Sequence, residues 1–157
     1  QLPPYFKRSI TFRNYLAALL DELAGLPIAV EFRHDSWAND KVFSELERRK
    51  VTLVSVDEPD LPNLFPRLDV VTNPDLFYVR FHGRNSRGWR SGNMQKQFDY
   101  DYAQWELAQW AATIKTAMMT QAATGGIFFN NHVRGQAPKN ALRLIDLLFK
   151  DYHLQKT

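Results

Sequence analysis

The feature that most constrains the fold is an alternation. Short runs rich in β-branched and aromatic residues are separated by segments with apolar side chains at helical spacing. Residues 27–33, 53–57, 76–82 and 126–131 read as strands. Residues 9–24 carry Ile10, Phe12, Leu16, Leu19, Leu20 and Leu23 at helical intervals, with Ser9 a candidate N-cap and Gly25 a stop. Helices are likewise predicted over 39–49, 102–117 and 138–150, the last opening on Pro138, which suits a first turn. Residues 58–74, rich in Pro, Asp and Asn, and residues 83–99, with three glycines, are predicted loops. A helix between two strands returns the chain to the end where it started, so the strands pair in parallel under a helical cover. No linker, repeat or low-complexity tract breaks the pattern, and residues 1–157 are expected to form one α/β domain.

Composition excludes several function classes. There is no cysteine, so disulfides, thiol nucleophiles and thiolate-bound metals are out. That absence fits a reducing compartment, and the cytoplasm is the expected location. No apolar run approaches the roughly 18–20 residues that span a bilayer, so no membrane association is expected. The first residues, Gln-Leu-Pro-Pro, do not read as a signal peptide and lack an initiator methionine, which suggests a longer or trimmed chain. No dinucleotide or P-loop glycine motif and no Gly-x-Ser-x-Gly elbow occurs, and the three methionines point to no cofactor, so any cofactor is left unknown. The net charge of +3 is too mild to argue for nucleic acid. Its placement is more telling, for between Arg80 and Phe98 stand Arg80, Arg84, Arg87, Arg90 and Lys96 with no acidic residue.

Side chains alternate faces along a strand. In the first strand Ile28, Val30 and Phe32 oppose Ala29, Glu31 and Arg33. In the second Val54 and Val56 oppose Ser55 and Asp57, and in the third Phe77, Val79 and Phe81 oppose Tyr78, Arg80 and His82. Taking the apolar row as helix-facing each time puts Glu31, Arg33, Asp57, Arg80 and His82 in one shared cavity. Ligands of parallel α/β proteins bind at the carboxyl ends of strands. The candidates there are Glu31, Asp57 and His82 for acid–base catalysis, and Arg33, His34, Trp37, Arg80, Arg84, Asn130 and Asn131 for binding. Alternation does not choose between Asn130 and Asn131. A buried ion-pair network that only fixes geometry is the competing reading.

Three stretches carry a resemblance to a known family. Glu-Phe-Arg-His-Asp-Ser-Trp (31–37), Tyr-Val-Arg-Phe-His-Gly-Arg (78–84) and Phe-Phe-Asn-Asn with Gly-Gln-Ala-Pro-Lys-Asn-Ala (within 128–141) resemble the YecE-like family, domain of unknown function 72. Leu-Pro-Pro-Tyr-Phe (2–6) is similar to the end of that family's fourth strand. The resemblance implies a TIM-type (β/α)8 barrel in which this chain supplies the last four βα units, a half-barrel, with the remaining N-terminal half as an expected partner. A half-barrel should leave its first and last strand edges open and turn groups such as Tyr78 to solvent. The family implies no established activity.

Three functions compete at the strand ends. The first is an enzyme or binder for a small anionic ligand, phosphorylated or carboxylated. Arg80 and Arg84 would clamp it, the helix start after Gly135 would add free N–H groups, and Trp37 or Trp89 would wall it. The second is a metal-dependent hydrolase using Glu31, Asp57, His82 and His34, which the neighbouring arginines disfavour. The third is nucleic-acid binding through loop 84–96, with Trp89, Phe98, Tyr100 and Tyr102 stacking on bases. Trp105 and Trp110 are expected to pack on a helix face, and His132 and His153 to lie at the surface.

Overall fold

A computed structural model describes residues 1–154, with side chains to Lys150; His153 lies outside the described side chains. Helix α1 (Ile10–Glu22) is capped by Ser9, whose hydroxyl accepts from the Phe12 N–H. Strand β1 (Ala29–Val30) follows, then a single 3-10 turn at Asp35–Trp37, helix α2 (Asp40–Arg49) and strand β2 (Thr52–Asp57). Strand β3 is Leu76–Phe81; α3 (Ser86–Trp89) and α4 (Met94–Gln97) are single turns. Helix α5 (Gln104–Thr113) runs on into a π turn at Ile114–Met118, and β4 (Thr124–Phe129) and α6 (Gln136–Leu154) close the order.

The four strands form one sheet, β1-β2-β3-β4, with every pair parallel, as the alternation predicts. β2 is buried along its whole length, as a central parallel strand should be. The helix-covered face holds two cores. Phe32 stacks on Trp37 beneath α1 and α2, and Phe81 meets Trp110 and Tyr102 beneath α5 and α6.

Several boundaries differ from expectation. β4 starts at Thr124 and takes in Gly125 and Gly126, because Phe77 on β3 needs the space: a Cβ on Gly125 would lie 2.1 Å from its ring. The predicted loop 83–99 contains two helical turns, each started by an asparagine that accepts a backbone N–H, Asn85 from Gly88 and Asn93 from Lys96. Trp110 is fully buried, but Trp105 is 60% exposed on the far side of α5. At the outer strands, the Leu2 N–H bonds to the Glu31 carbonyl beside β1, while on β4 Phe128 is 49% exposed and stacks on half-buried Tyr78.

Candidate functional site

Register decides which strand-end residues meet. Val56 pairs with Arg80 and Asp57 with Phe81, while Ala29 pairs with Thr52. Paired residues of a parallel sheet share a face, so Arg80 and His82 lie with Val54 and Val56 and with Glu31 and Arg33. Asp57 lies on the opposite face with Phe81, under the helices. The expected single cavity is therefore two clusters, one on each side of the sheet.

The first cluster centres on Glu31, which is 2% exposed. Arg80 donates from Nη1 to Oε2 at 2.5 Å, His82 Nε2 lies 3.0 Å from Oε1, and Arg33 Nη1 lies 3.6 Å from Oε1. Asn130 Nδ2 reaches His82 Nδ1 at 3.3 Å, so Asn130 is the member of its pair that faces this cluster. Trp89 stands over Arg33 at 5.5 Å, and Trp89 and Phe98 flank His82 at 6.4 and 6.1 Å. Burial pushes the Glu31 carboxyl up, but the His82 hydrogen bond and the charges of Arg80 and Arg33 outweigh it and hold the group below the usual carboxylate range. Burial pushes His82 down, so near neutral pH it is an uncharged imidazole that donates its Nε2–H to Glu31 and accepts from Asn130.

A residue absent from the sequence candidates completes this cluster. Glu58, one position beyond β2, places Oε2 3.2 Å from Arg33 Nη2, with a side chain 2% exposed. Neither of its oxygens has a hydrogen bond of ordinary geometry, although the Phe65 N–H faces them. Burial pushes its carboxyl up to about 7, against the opposing pull of Arg33. The signal that could have found it is parity: Glu58 continues the row of Val54 and Val56, not that of Asp57.

The second cluster is internally paired. Asp57 accepts two bonds from Arg84, at 2.8 and 2.6 Å, one from Tyr102 Oη at 2.7 Å and one from Trp110 Nε1 at 2.5 Å. Arg84 also reaches Glu106 at 2.9 Å, which in turn receives the Tyr100 hydroxyl at 2.7 Å. Burial beside Asp57 pushes the Tyr102 phenol well above its ordinary value. Asp57 and Arg84 here pin β2 to α5 and do not converge with Glu31. They do line a cavity of about 410 Å³ at the end of β2, together with Glu58, Asp60 and Arg67.

Three further candidates lie apart from Glu31. Trp37 is 2% exposed in the core, donating to the Phe6 carbonyl at 2.6 Å, and does not wall the polar face; Trp89 takes that position. His34 is buried, with Nδ1 contacting Ser36 and Asp35 and no partner on Nε2. Asn131, fully buried, ties the end of β4 to the Tyr100 carbonyl and to Asn140 on α6. At the start of α6 the Gln136 and Arg134 side chains bind the Asp99 carboxylate at 2.8 and 3.3 Å.

Among the described residues no three His, Asp or Glu side chains converge to share a metal ion. In loop 84–96 Arg84 is turned inward, Arg90 donates to the Pro62 carbonyl, and Trp89 and Tyr102 are buried, while Phe98 and Tyr100 are half-buried. No helix of the described residues is long and apolar enough to cross a membrane.

A family model described as "Protein of unknown function DUF72" matches residues 1–157. A UPF0759 protein, YunF of Bacillus subtilis (strain 168), is 28% identical over 162 residues, covering 97% of this chain and 57% of the relative. Among solved structures, a DUF72 family protein of Thermotoga maritima MSB8 is 37% identical with a TM-score of 0.87, over 94% of this chain and 55% of its own. One from Enterococcus faecalis V583 is 33% identical with a TM-score of 0.88, over 94% and 56%. The chain thus spans a little over half the length of the relatives it matches.

Proposed function

The chain belongs to the DUF72 family of proteins of unknown function, and on that premise we propose that it holds a small anionic ligand, phosphorylated or carboxylated, against Arg80 and Arg33. The observation that carries this reading is a charge imbalance: two guanidiniums surround one firmly ionised carboxylate, Glu31, while Glu58 is only partly ionised near neutral pH. Among the described residues Arg80 makes two hydrogen bonds, both through Nη1, and it is 20% exposed, which leaves Nε and Nη2 for an incoming oxyanion. Trp89 and Phe98 wall the ligand, and Asn130 orients His82. If the ligand is turned over, Glu31 and neutral His82 are the base and the proton carrier. Asp57, Arg84, Asn131 and Trp37 support the scaffold in this reading.

We also read the sheet as the second half of a TIM-type (β/α)8 barrel. Its one-way parallel order, its two outer strands and the 55–57% coverage of its relatives support that reading.

Equilibrium binding of sulfate, phosphate and small dicarboxylates tests the anion site. Arg80→Ala should weaken binding by about 1.5–3 kcal/mol, roughly 10- to 100-fold, the range for a hydrogen-bonded charge. Arg87→Ala, on the exposed turn α3, should leave it unchanged. Equal losses would move recognition to the loop.

A further inference from the structure

Arg33 bridges two carboxyl groups that are not equivalent. It lies 3.6 Å from Glu31 and 3.2 Å from Glu58. Glu31 has Arg80 and His82 as well. Glu58 is buried without a hydrogen bond of ordinary geometry and depends on Arg33 for its charge. The groups around it are Arg33 and Glu31 from the end of β1, the Phe65 N–H from the following loop, Asp57, its neighbour on the other face of β2, and Asp60, Arg67 and Arg84, which line the same cavity. Arg80 of β3 and His82, just past its end, stand beyond Glu31.

We propose, building on the anion reading above, that ligand capture at this face is coupled to proton uptake and that Glu58 is the group that receives the proton. An oxyanion on Arg80 and Arg33 competes with Glu58 for the Arg33 guanidinium and sets a second negative charge beside it. A buried carboxylate losing its one close cation is costly, and protonation removes that cost. The balance is simple: the anion arrives with its own charge unchanged, one proton from solvent adds to a Glu58 oxygen, and no other bond changes. The Glu58 carboxyl, pushed up to about 7 in the free protein, is poised for this exchange near neutral pH. By linkage the anion binds more tightly as pH falls through that region.

Sulfate is the probe, because its own charge is fixed from pH 5 to 9. Calorimetric titration at pH 7.5 in two buffers of different ionisation enthalpy reads the protons exchanged. A rise of one pH unit in the Glu58 midpoint corresponds to about half a proton per sulfate and at most a tenfold change in affinity across the pH range. The expected result is such uptake in the wild type, and sulfate binding without uptake and with a flat pH profile in Glu58→Gln. Sulfate binding with no proton uptake, or with uptake unchanged in Glu58→Gln, overturns the role of Glu58 but leaves the anion site standing. No sulfate binding to the wild type overturns both. Carboxyl 13C titration of the labelled wild-type protein gives a reading that needs no variant: sulfate should raise the Glu58 midpoint, and an unmoved midpoint counts against the proposal.

Discussion

Replacing Glu58 with glutamine should stabilise the protein in a way that depends on pH. The carboxyl rises from 4.5 to about 7 on folding, chiefly through burial. A folded-state value above the unfolded one means that the native protein binds more protons between the two. Stability from this group is therefore whole below about pH 4.5, falls as pH rises through 7, and is fully lost above it. The total loss is about 3 kcal/mol, an upper figure because water entry softens burial in real proteins. Glutamine has nearly the same shape and cannot ionise, so the variant escapes the loss. Urea unfolding of wild type and Glu58→Gln at pH 4.5, 6, 7 and 8 reads the difference. It should be near zero or slightly unfavourable at pH 4.5 and grow towards about 3 kcal/mol in favour of the variant at pH 8. A difference that is constant with pH, or a variant less stable than wild type at pH 8, would refute the reasoning, since either would mean that Glu58 stays solvated or well paired as a carboxylate.

Two further predictions separate scaffold from site. Asp57→Ala strips four hydrogen bonds and leaves Arg84 without its bidentate partner, so chemical denaturation should show a loss of about 3–5 kcal/mol, whereas Asp57→Asn in a protein that still folds should bind sulfate as well as wild type. Gly125→Ala drives a methyl group into the Phe77 ring and should cost about 1–3 kcal/mol in the same assay, and the loss should shrink when Phe77→Leu is added.

Much of the architecture was legible because parallel sheets impose a strong pattern: buried apolar strands, helical crossovers and functional groups at strand ends. Glu31, Arg33, Arg80 and His82 were placed together by parity within single strands, and the register agrees. Asp57 went to the wrong face for a physical reason. Polarity marks the inward side only when one face of a strand is apolar and the other polar. β2 is buried on both faces, so Val54 and Val56 lie beside Arg80 while Asp57 is drawn under the helices by Arg84, Tyr102 and Trp110. The same phase error hid Glu58. Trp37 and Trp105 show a second limit, since an aromatic residue near a strand end or on a helix can be core or surface, and only the tertiary neighbours decide. The helical turns after Asn85 and Asn93 are too short to show apolar periodicity, and the glycines around them read as a loop.

The claim that two faces of one sheet carry two different arginine environments can be tested by side-chain NMR of the arginine Nε–H groups during sulfate titration. Arg80 and Arg33, around Glu31, should shift together and saturate with one dissociation constant, while Arg84, held by Asp57 at 2.8 and 2.6 Å, should not move. A saturating shift at Arg84 with Arg80 and Arg33 silent would contradict the account and place recognition on the other side of the sheet.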